Sequence, residues 1–410
     1  MEIIKTEFAK DIQKLLSSYF DKTQLKSLLQ KLNSAEKKSS SLEVVNKFYA
    51  QQLNIEYNFA KDRMEIDRTI TFAMKNLEKE KYLQLLRKLG QVCTGHGKLN
   101  LAFEVLNKAV KESENKKDKA ESFLLLSDVH SRRAEWKKSI EILENTGDLF
   151  SSIGNVNGAA KCENTLGSIY GERGELEQAK THFEKCLTLI DADKEKELTA
   201  SVELNLGIIE NIQGEYDKAS EHFKKALRKF ESLGSYRRIA ELKHNLGMLF
   251  VNQEKYNEAI EEFDQCIEIS VKEGLMPVLA IVYLNKANVL IKLNEFDSAS
   301  RFADKSMEVS HQIDDKLTIA DIYITKSRIE RHLKNYEKAE NYLLSSLLLN
   351  EKMNNVLNIG ESCFELAKLY NMMNRKQERE DYLQRSLKYF REVQAVDYIQ
   401  KVEEMLATSI

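Results

Sequence analysis

The chain has 410 residues, 62 Lys+Arg against 65 Asp+Glu for a formal net charge of −3, 42% hydrophobic and 31% charged residues, 15 glycines and a single proline. Average usage would give roughly 29 glycines and 20 prolines at this length, so the shortage of chain punctuators excludes collagen-like, proline-rich and most β-sandwich architectures, and the apolar content excludes a disordered chain. Residues 1–82 carry 15 basic and 12 acidic side chains and the rest carry 47 and 53, a balance that leaves no electrostatic footprint for nucleic acid.

In chain order, residues 1–33 predict two helices, one with Phe8, Ile12, Leu15, Leu16 and Tyr19 on its apolar stripe and one with Leu25, Leu28, Leu29 and Leu32. A polar break, NSAEKKSSS, follows over residues 33–41. Residues 42–80 predict two more helices, with Val45, Phe48, Tyr49 and Leu53 on the first and Ile66, Ile70, Ala73 and Leu77 on the second. This stretch reads either as a degenerate repeat or, more simply, as an N-terminal helical cap. From Leu83, LQLLRKLGQVCTGHGKLNLAFEVLNKAV opens a series of helix–turn–helix units that settles, after one 37-residue step, into a period of forty. Ala120, Ala160, Ala200, Ala240, Ala280, Ala320 and Gly360 occupy one position of that register. Small residues from Ser127 through Gly167, Gly207, Gly247, Ala287 and Ser327 to Ala367 occupy another. Trp136, Leu176, Tyr216, Tyr256, Phe296 and Tyr336 mark the start of each second helix. At the end, Val396, Ile399, Val402 and Leu406 predict a helix over 391–410, either a terminal cap or a detachable interaction helix. The expected division is therefore 1–82, an array of about eight units over 83–390, and 391–410.

The residue types in the register have a steric reason. A glycine or alanine on the first helix (A) lets the second (B) approach closely. Ala179, Ala219 and Ala259 do the same from helix B, while Phe183, Phe223 and Phe263 fill the remaining space. One pair of helices cannot bury its apolar face alone, so neighbours must stack. The leucine followed by a small residue on helix A, as in Leu206–Gly207, and the Ala…Phe spacing on helix B resemble the tetratricopeptide repeat family over residues 83–390. The usual period is 34, so forty lengthens each helix by most of a turn. This long variety is similar to the repeats of kinesin light chains, of the Pins/LGN adaptors and of Rap-type peptide receptors. The proline that often ends the shorter unit is missing, and the one present, Pro277, lies between two units. The resemblance implies an all-α fold, a right-handed superhelical α-solenoid with helical caps.

Chemistry is hard to find. The sequence has no glycine-rich phosphate loop, HExxH, GxSxG or paired Cys/His spacing. Cys93, Cys162, Cys186, Cys266 and Cys363 are scattered and odd in number, which reads as reduced, buried thiols in a cytoplasmic protein. No apolar run approaches the ~18–20 residues that span a bilayer, and the first residues show no secretory signal pattern. No catalytic residue, metal site or cofactor is expected, no nucleic-acid or membrane partner, and self-association by end-to-end stacking of units stays open.

The family resemblance places ligands along the face formed by the A helices. On that face one row holds Asn164, Leu204, His244, Leu284 and Ile324, and the row one turn later holds Ile208, Met248, Asn288 and Arg328. Beside them Asn205, Asn245 and Asn285 form a ladder at forty-residue steps. In the families resembled, such amides bond the backbone of an extended peptide, donating and accepting at once; equally, they bond a neighbouring helix. The face is apolar at its centre and turns basic at Arg328 and Arg331, which suits a segment with apolar anchors and an acidic end. The chaperone-type dicarboxylate clamp is disfavoured, because Leu204, His244 and Leu284 stand where it needs cations. The expected function is a non-catalytic scaffold or adaptor that binds a peptide or protein segment on the repeats. The alternative is a Rap-type regulator in which such a ligand controls the N-terminal helices.

Overall fold

The computed structural model describes residues 7–36, 47–133, 135–313, 315–393 and 395–407. Twenty α-helices account for almost all of these residues, and no strand occurs among them. The chain divides into two compact units, Met1–Leu198 and Thr199–Ile410.

In the first unit α1 (Glu7–Leu16), α2 (Lys22–Glu36) and α3 (Lys47–Asn76) precede three helical hairpins: α4 (Lys79–Gly95) with α5 (Leu99–Glu112), α6 (Lys116–Arg132) with α7 (Trp136–Ser152), and α8 (Val156–Glu172) with α9 (Leu176–Leu189). Both α1 and α3 pack on α4, and one core joins Phe8, Ile12, Leu16, Leu28 and Ile66 to Leu85, Leu86, Leu89 and Cys93. Two side-chain contacts fasten this region to the first hairpin, a His96–Asp11 hydrogen bond to α1 and a Lys98–Asp62 ion pair to α3. One expectation needs correction. The described part of residues 42–80 forms one long helix, α3, as far as Asn76, with Lys79 already opening α4, in place of the two helices expected. The segment between Leu53 and Ile66, NIEYNFAKDRME, holds neither glycine nor proline, so nothing stops the helix from running through. Val45 falls outside the described residues. At the preceding break, α2 continues to Glu36, four residues into the polar run.

The second unit holds α10 (Lys196–Ile212) with α11 (Tyr216–Ser232), α12 (Tyr236–Asn252) with α13 (Tyr256–Glu273), α14 (Met276–Lys292) with α15 (Phe296–Gln312), α16 (Lys316–His332) with α17 (Tyr336–Met353), α18 (Val356–Met372) with α19 (Lys376–Glu392), and finally α20 (Val396–Ala407). Six of the B helices begin on the residues that the register marks, from Trp136 to Tyr336. Most of the helices are 17 residues long, the added turn that a forty-residue period requires. Pro277 stands in the first turn of α14, where its missing N–H breaks no helical bond.

The turns repeat every twenty residues. After α8 the Glu175 N–H bonds the Tyr170 carbonyl and the Gly174 N–H bonds Gly171, closing the helix with a left-handed residue in the Schellman manner. The same cap recurs with Gly214 after α10 and Gly234 after α11. At Glu254, Asn294, Lys334, Asn354 and Asn374 the left-handed position is taken by another residue. That substitution is why so few glycines suffice for so many turns.

Candidate functional site

In the second unit α12, α14, α16 and α18 contact one another in succession, so the A helices form a continuous face. Asn164, the one expected site residue of the first unit, lies on α8, and its side-chain oxygen is buried without a hydrogen-bond partner.

The first row turns inward. Leu204, Leu284 and Ile324 are 5%, 7% and 5% exposed and belong to the packing of their hairpins. His244 lies against Phe263 with ring centroids 6.0 Å apart, and burial pushes its imidazole down to about 4, so the ring is neutral at pH 7. Its Nε2 is 2.7 Å from Asn285 Nδ2, which makes the ring nitrogen the acceptor and the amide the donor. Asn245 Nδ2 donates to the Glu241 carbonyl of its own helix at 2.8 Å. Two of the three ladder amides thus have partners inside the chain, and Asn205 is half-buried on α10.

The second row stays partly open. Ile208, Met248, Asn288, Arg328 and Lys368 are all half-buried along five consecutive A helices. Asn288 Oδ1 accepts from Thr325 Oγ1 at 3.1 Å and lies 3.5 Å from Arg328 Nη1. Arg328 in turn reaches Glu365 on α18. Of these residues the expected site included Ile208, Met248, Asn288 and Arg328, which the fold does bring onto one face.

Glu365, absent from the expected set, organises the basic end. It is buried, with Arg328 Nη2 at 3.3 Å, Arg331 Nη2 at 2.9 Å and Lys368 Nζ at 3.1 Å. Burial alone would raise its carboxyl, but the three cations outweigh that and hold it at about 2. Its register would have found it: Glu365 follows Asn205, Asn245, Asn285 and Thr325 at forty-residue steps. Seven residues before Arg328, Asp321 shows the opposite behaviour. Burial, reinforced by Glu361 and Asp315, pushes its carboxyl up to about 6, with only Arg328 pulling it down. Glu361 accepts the Tyr398 hydroxyl from α20. The face is therefore apolar at α10 and α12, amide-bearing at α14 and charged at α16 and α18. Among the described residues no group of His, Cys, Asp and Glu is placed to hold a metal ion, and no helix is long and apolar enough to cross a membrane.

The family profile described as the MalT-like TPR region matches residues 165–408, more than half of the chain. The chain belongs to the MalT-like tetratricopeptide-repeat family. A second profile, that of the soluble NSF attachment protein, matches residues 97–230 of this repeat protein. No curated protein matches its sequence. Among solved structures, it is similar to aspartyl phosphate phosphatase F from Bacillus subtilis (TM-score 0.55, 13% identity, 97% of each chain). It is also similar to the tetratricopeptide-repeat sensor ATPase of the STAND class from Pyrococcus horikoshii (0.60, 14%, 97% of this chain and 66% of that one). A third likeness is to a Rap protein complexed with competence and sporulation factor (0.53, 17%, 85% and 97%). At these identities the likeness is one of fold, and it covers both the N-terminal helices and the repeats of the family member described here.

Proposed function

We propose that this repeat protein is a non-catalytic binding module that takes a peptide or protein segment along the A-helix face of its second unit, flanked by helical regions at 1–82 and 391–410. The observation that carries the reading is the second row. Ile208, Met248, Asn288, Arg328 and Lys368 remain half-open on adjacent helices although the residues beneath them are fully packed. A row of partly exposed apolar, amide and cationic side chains offers both anchors and polar pairing to an elongated ligand. Ile212, at the end of α10, extends the apolar part and is 62% exposed. The Rap protein with which the chain shares its fold was solved in complex with competence and sporulation factor, which supports a binding role for this chain.

The test is selection of a random peptide library on the full chain, followed by titration of the enriched peptides. The double variant Ile208→Asp/Met248→Asp changes only half-buried positions and should lose at least tenfold in affinity while keeping its helical circular dichroism. Undiminished binding by the folded variant would move the site elsewhere.

A second reading rests on the polar contacts that hold α1 and α3 to the first hairpin. Likeness in fold to the phosphatase over 97% of the chain includes these helices. In this reading a ligand on the repeats changes how the N-terminal helices dock, and the protein is a peptide-responsive regulator. Amide exchange in 61–76, measured with and without a selected peptide, separates the two: a passive scaffold leaves it unchanged.

A further inference from the structure

The basic end of the face carries more cation than its own buried carboxylate neutralises. Glu365, 7% exposed, is the shared partner of Arg328, Arg331 and Lys368. Glu365 answers one of these charges and Asp321 draws on Arg328, which leaves Arg331 and Lys368, the two cations that line the cleft below, the less neutralised. Asp321 and Glu361 themselves stand two turns back toward the helix N-termini. Seven residues separate Asp321 from Arg328 and Glu361 from Lys368, about 10 Å along each helix. Glu361 is further engaged by Tyr398. Beside the cations opens a cleft of about 350 Å³ lined by Arg331, His332, Lys368, Asn371, Met372 and Met405. Met372 is 48% exposed, an apolar surface for the methylenes of a long side chain.

Resting on the reading that the face binds a peptide, we propose that Arg328, Arg331 and Lys368 form a carboxylate subsite that seats an acidic side chain of the bound segment beside Met372. The buried Glu365 is its positioning residue, holding three flexible cations in one place so that little side-chain entropy remains to be lost on binding. Charge-assisted pairing to guanidinium groups then selects the acid over its amide. The apolar anchors of the same segment lie over Ile208 and Met248. Neighbouring helices lie about 8–10 Å apart, and an extended chain advances about 3.3–3.6 Å per residue. Two to three helices from α12 to the cluster therefore place the acid about five to nine residues from the nearest apolar anchor.

The experiment selects a random dodecamer library, displayed with its C-termini blocked, on the full-length wild type and on Lys368→Glu and Arg331→Glu variants whose helicity and melting are verified. The expected result is enrichment of Asp or Glu at that distance from an apolar pair, with the preference abolished or turned to Lys and Arg by either charge reversal. Replacing the enriched acid by its amide should weaken binding to wild type about tenfold, and a free C-terminus on the amide peptide, placed at the same distance, distinguishes a terminal carboxylate from a side-chain one. Because Arg331 is largely buried, the milder Lys368→Gln at a 39% exposed side chain is the second measure and should weaken the acidic peptide severalfold without affecting its amide. Enrichment without acidic bias, or a bias that survives charge reversal in folded protein, overturns the subsite while leaving the groove in place. If wild type enriches no peptide, the binding reading falls and this subsite with it.

Discussion

At the scale of single residues the array is held by complementary sizes. A Cβ added to Gly167, Gly207 or Gly247 would lie 2.6, 2.5 or 2.3 Å from the ring of Phe183, Phe223 or Phe263, sixteen residues on. Where the small residue of helix A is larger, as at Ser327 and Ala367, the position sixteen residues on holds Leu343 or Leu383, and the one after Ala287 holds Ala303. Phe223 is fully buried and has no room to yield. Gly207→Ala should therefore destabilise the protein by about 1–3 kcal/mol despite alanine's better helix propensity. Phe223→Leu should also destabilise it, and the double variant should recover at least about 1 kcal/mol of the summed loss. Chemical denaturation of the three proteins decides, and strict additivity would defeat the idea. The caps allow a second prediction. Glu254 and Lys334 sit at φ +59° and +61°, where a Cβ costs roughly 1–2 kcal/mol. Part of that is offset by the extra freedom of glycine in the unfolded chain, so Glu254→Gly and Lys334→Gly should each stabilise by about 0.5–1 kcal/mol in thermal melts. The close packing was legible in the sequence as a forty-residue register, because it leaves few residue types to choose from; the caps were not, because glycine, asparagine, glutamate and lysine all fill the left-handed position.

Between elements, paired positions change together along the chain. Helix A meets helix B through Glu163–His182 and Glu203–His222 at 2.7 and 2.6 Å, then with the carboxylate on the other helix through Lys243–Glu262 at 2.9 Å. In the next two hairpins the same positions are aromatic, Tyr283–Phe302 and Tyr323–Tyr342, with ring centroids 5.8 and 6.0 Å apart. Such pairings were not read in advance, since a register finds what repeats and these contacts alternate. The site was legible to a similar depth. The register placed Ile208, Met248, Asn288 and Arg328 on one face, but the burial of Leu204, Leu284 and Ile324 depends on how closely adjacent helices sit, which no spacing states. The register gave the position of Glu365 but not its role, and Asp321 likewise, because a charged side chain declares its role only through what surrounds it.

Their pH behaviour gives a paired test. Glu365 has its folded carboxyl lowered to about 2, so its contribution is present above the unfolded value near 4.5 and is lost as pH falls toward 2. Asp321 has its folded carboxyl raised to about 6, so its ionised form costs stability above pH 6 and costs nothing below the unfolded value near 3.8. Glu365→Gln should lower stability at pH 7 by ~3 kcal/mol, with the deficit shrinking below pH 4.5. Asp321→Asn should raise it by ~3 kcal/mol at pH 7, with the gain fading as pH falls through 6 and lost below 4. Melting temperatures across pH 3–8 check both signs, and parallel curves for the two variants would contradict the assignment.

For the molecule as a whole, the decisive property is the locality of its contacts. Within the second unit every extensive contact joins helices one or two places apart in sequence, from α11 with α12 to α19 with α20. Among the described residues the first unit adds α1 with α4 to this pattern. A unit built from such contacts has a stability close to a sum of hairpins and the interfaces between neighbours. The forty-residue register made that organisation readable from the sequence, whereas α1–α3 lie outside it and were read only as apolar stripes, which is why the single helix α3 was taken for two. Phe263→Ala removes a fully buried ring between α12 and α13 and should cost about 3–5 kcal/mol. In a globular domain with one core that loss would lower amide protection everywhere. Here it should accelerate exchange in α12, α13 and the adjoining α14 while α18, α19 and α20 keep their wild-type protection. Hydrogen exchange read by mass spectrometry resolves these segments, and uniform acceleration through α20 would show that the second unit unfolds as one body.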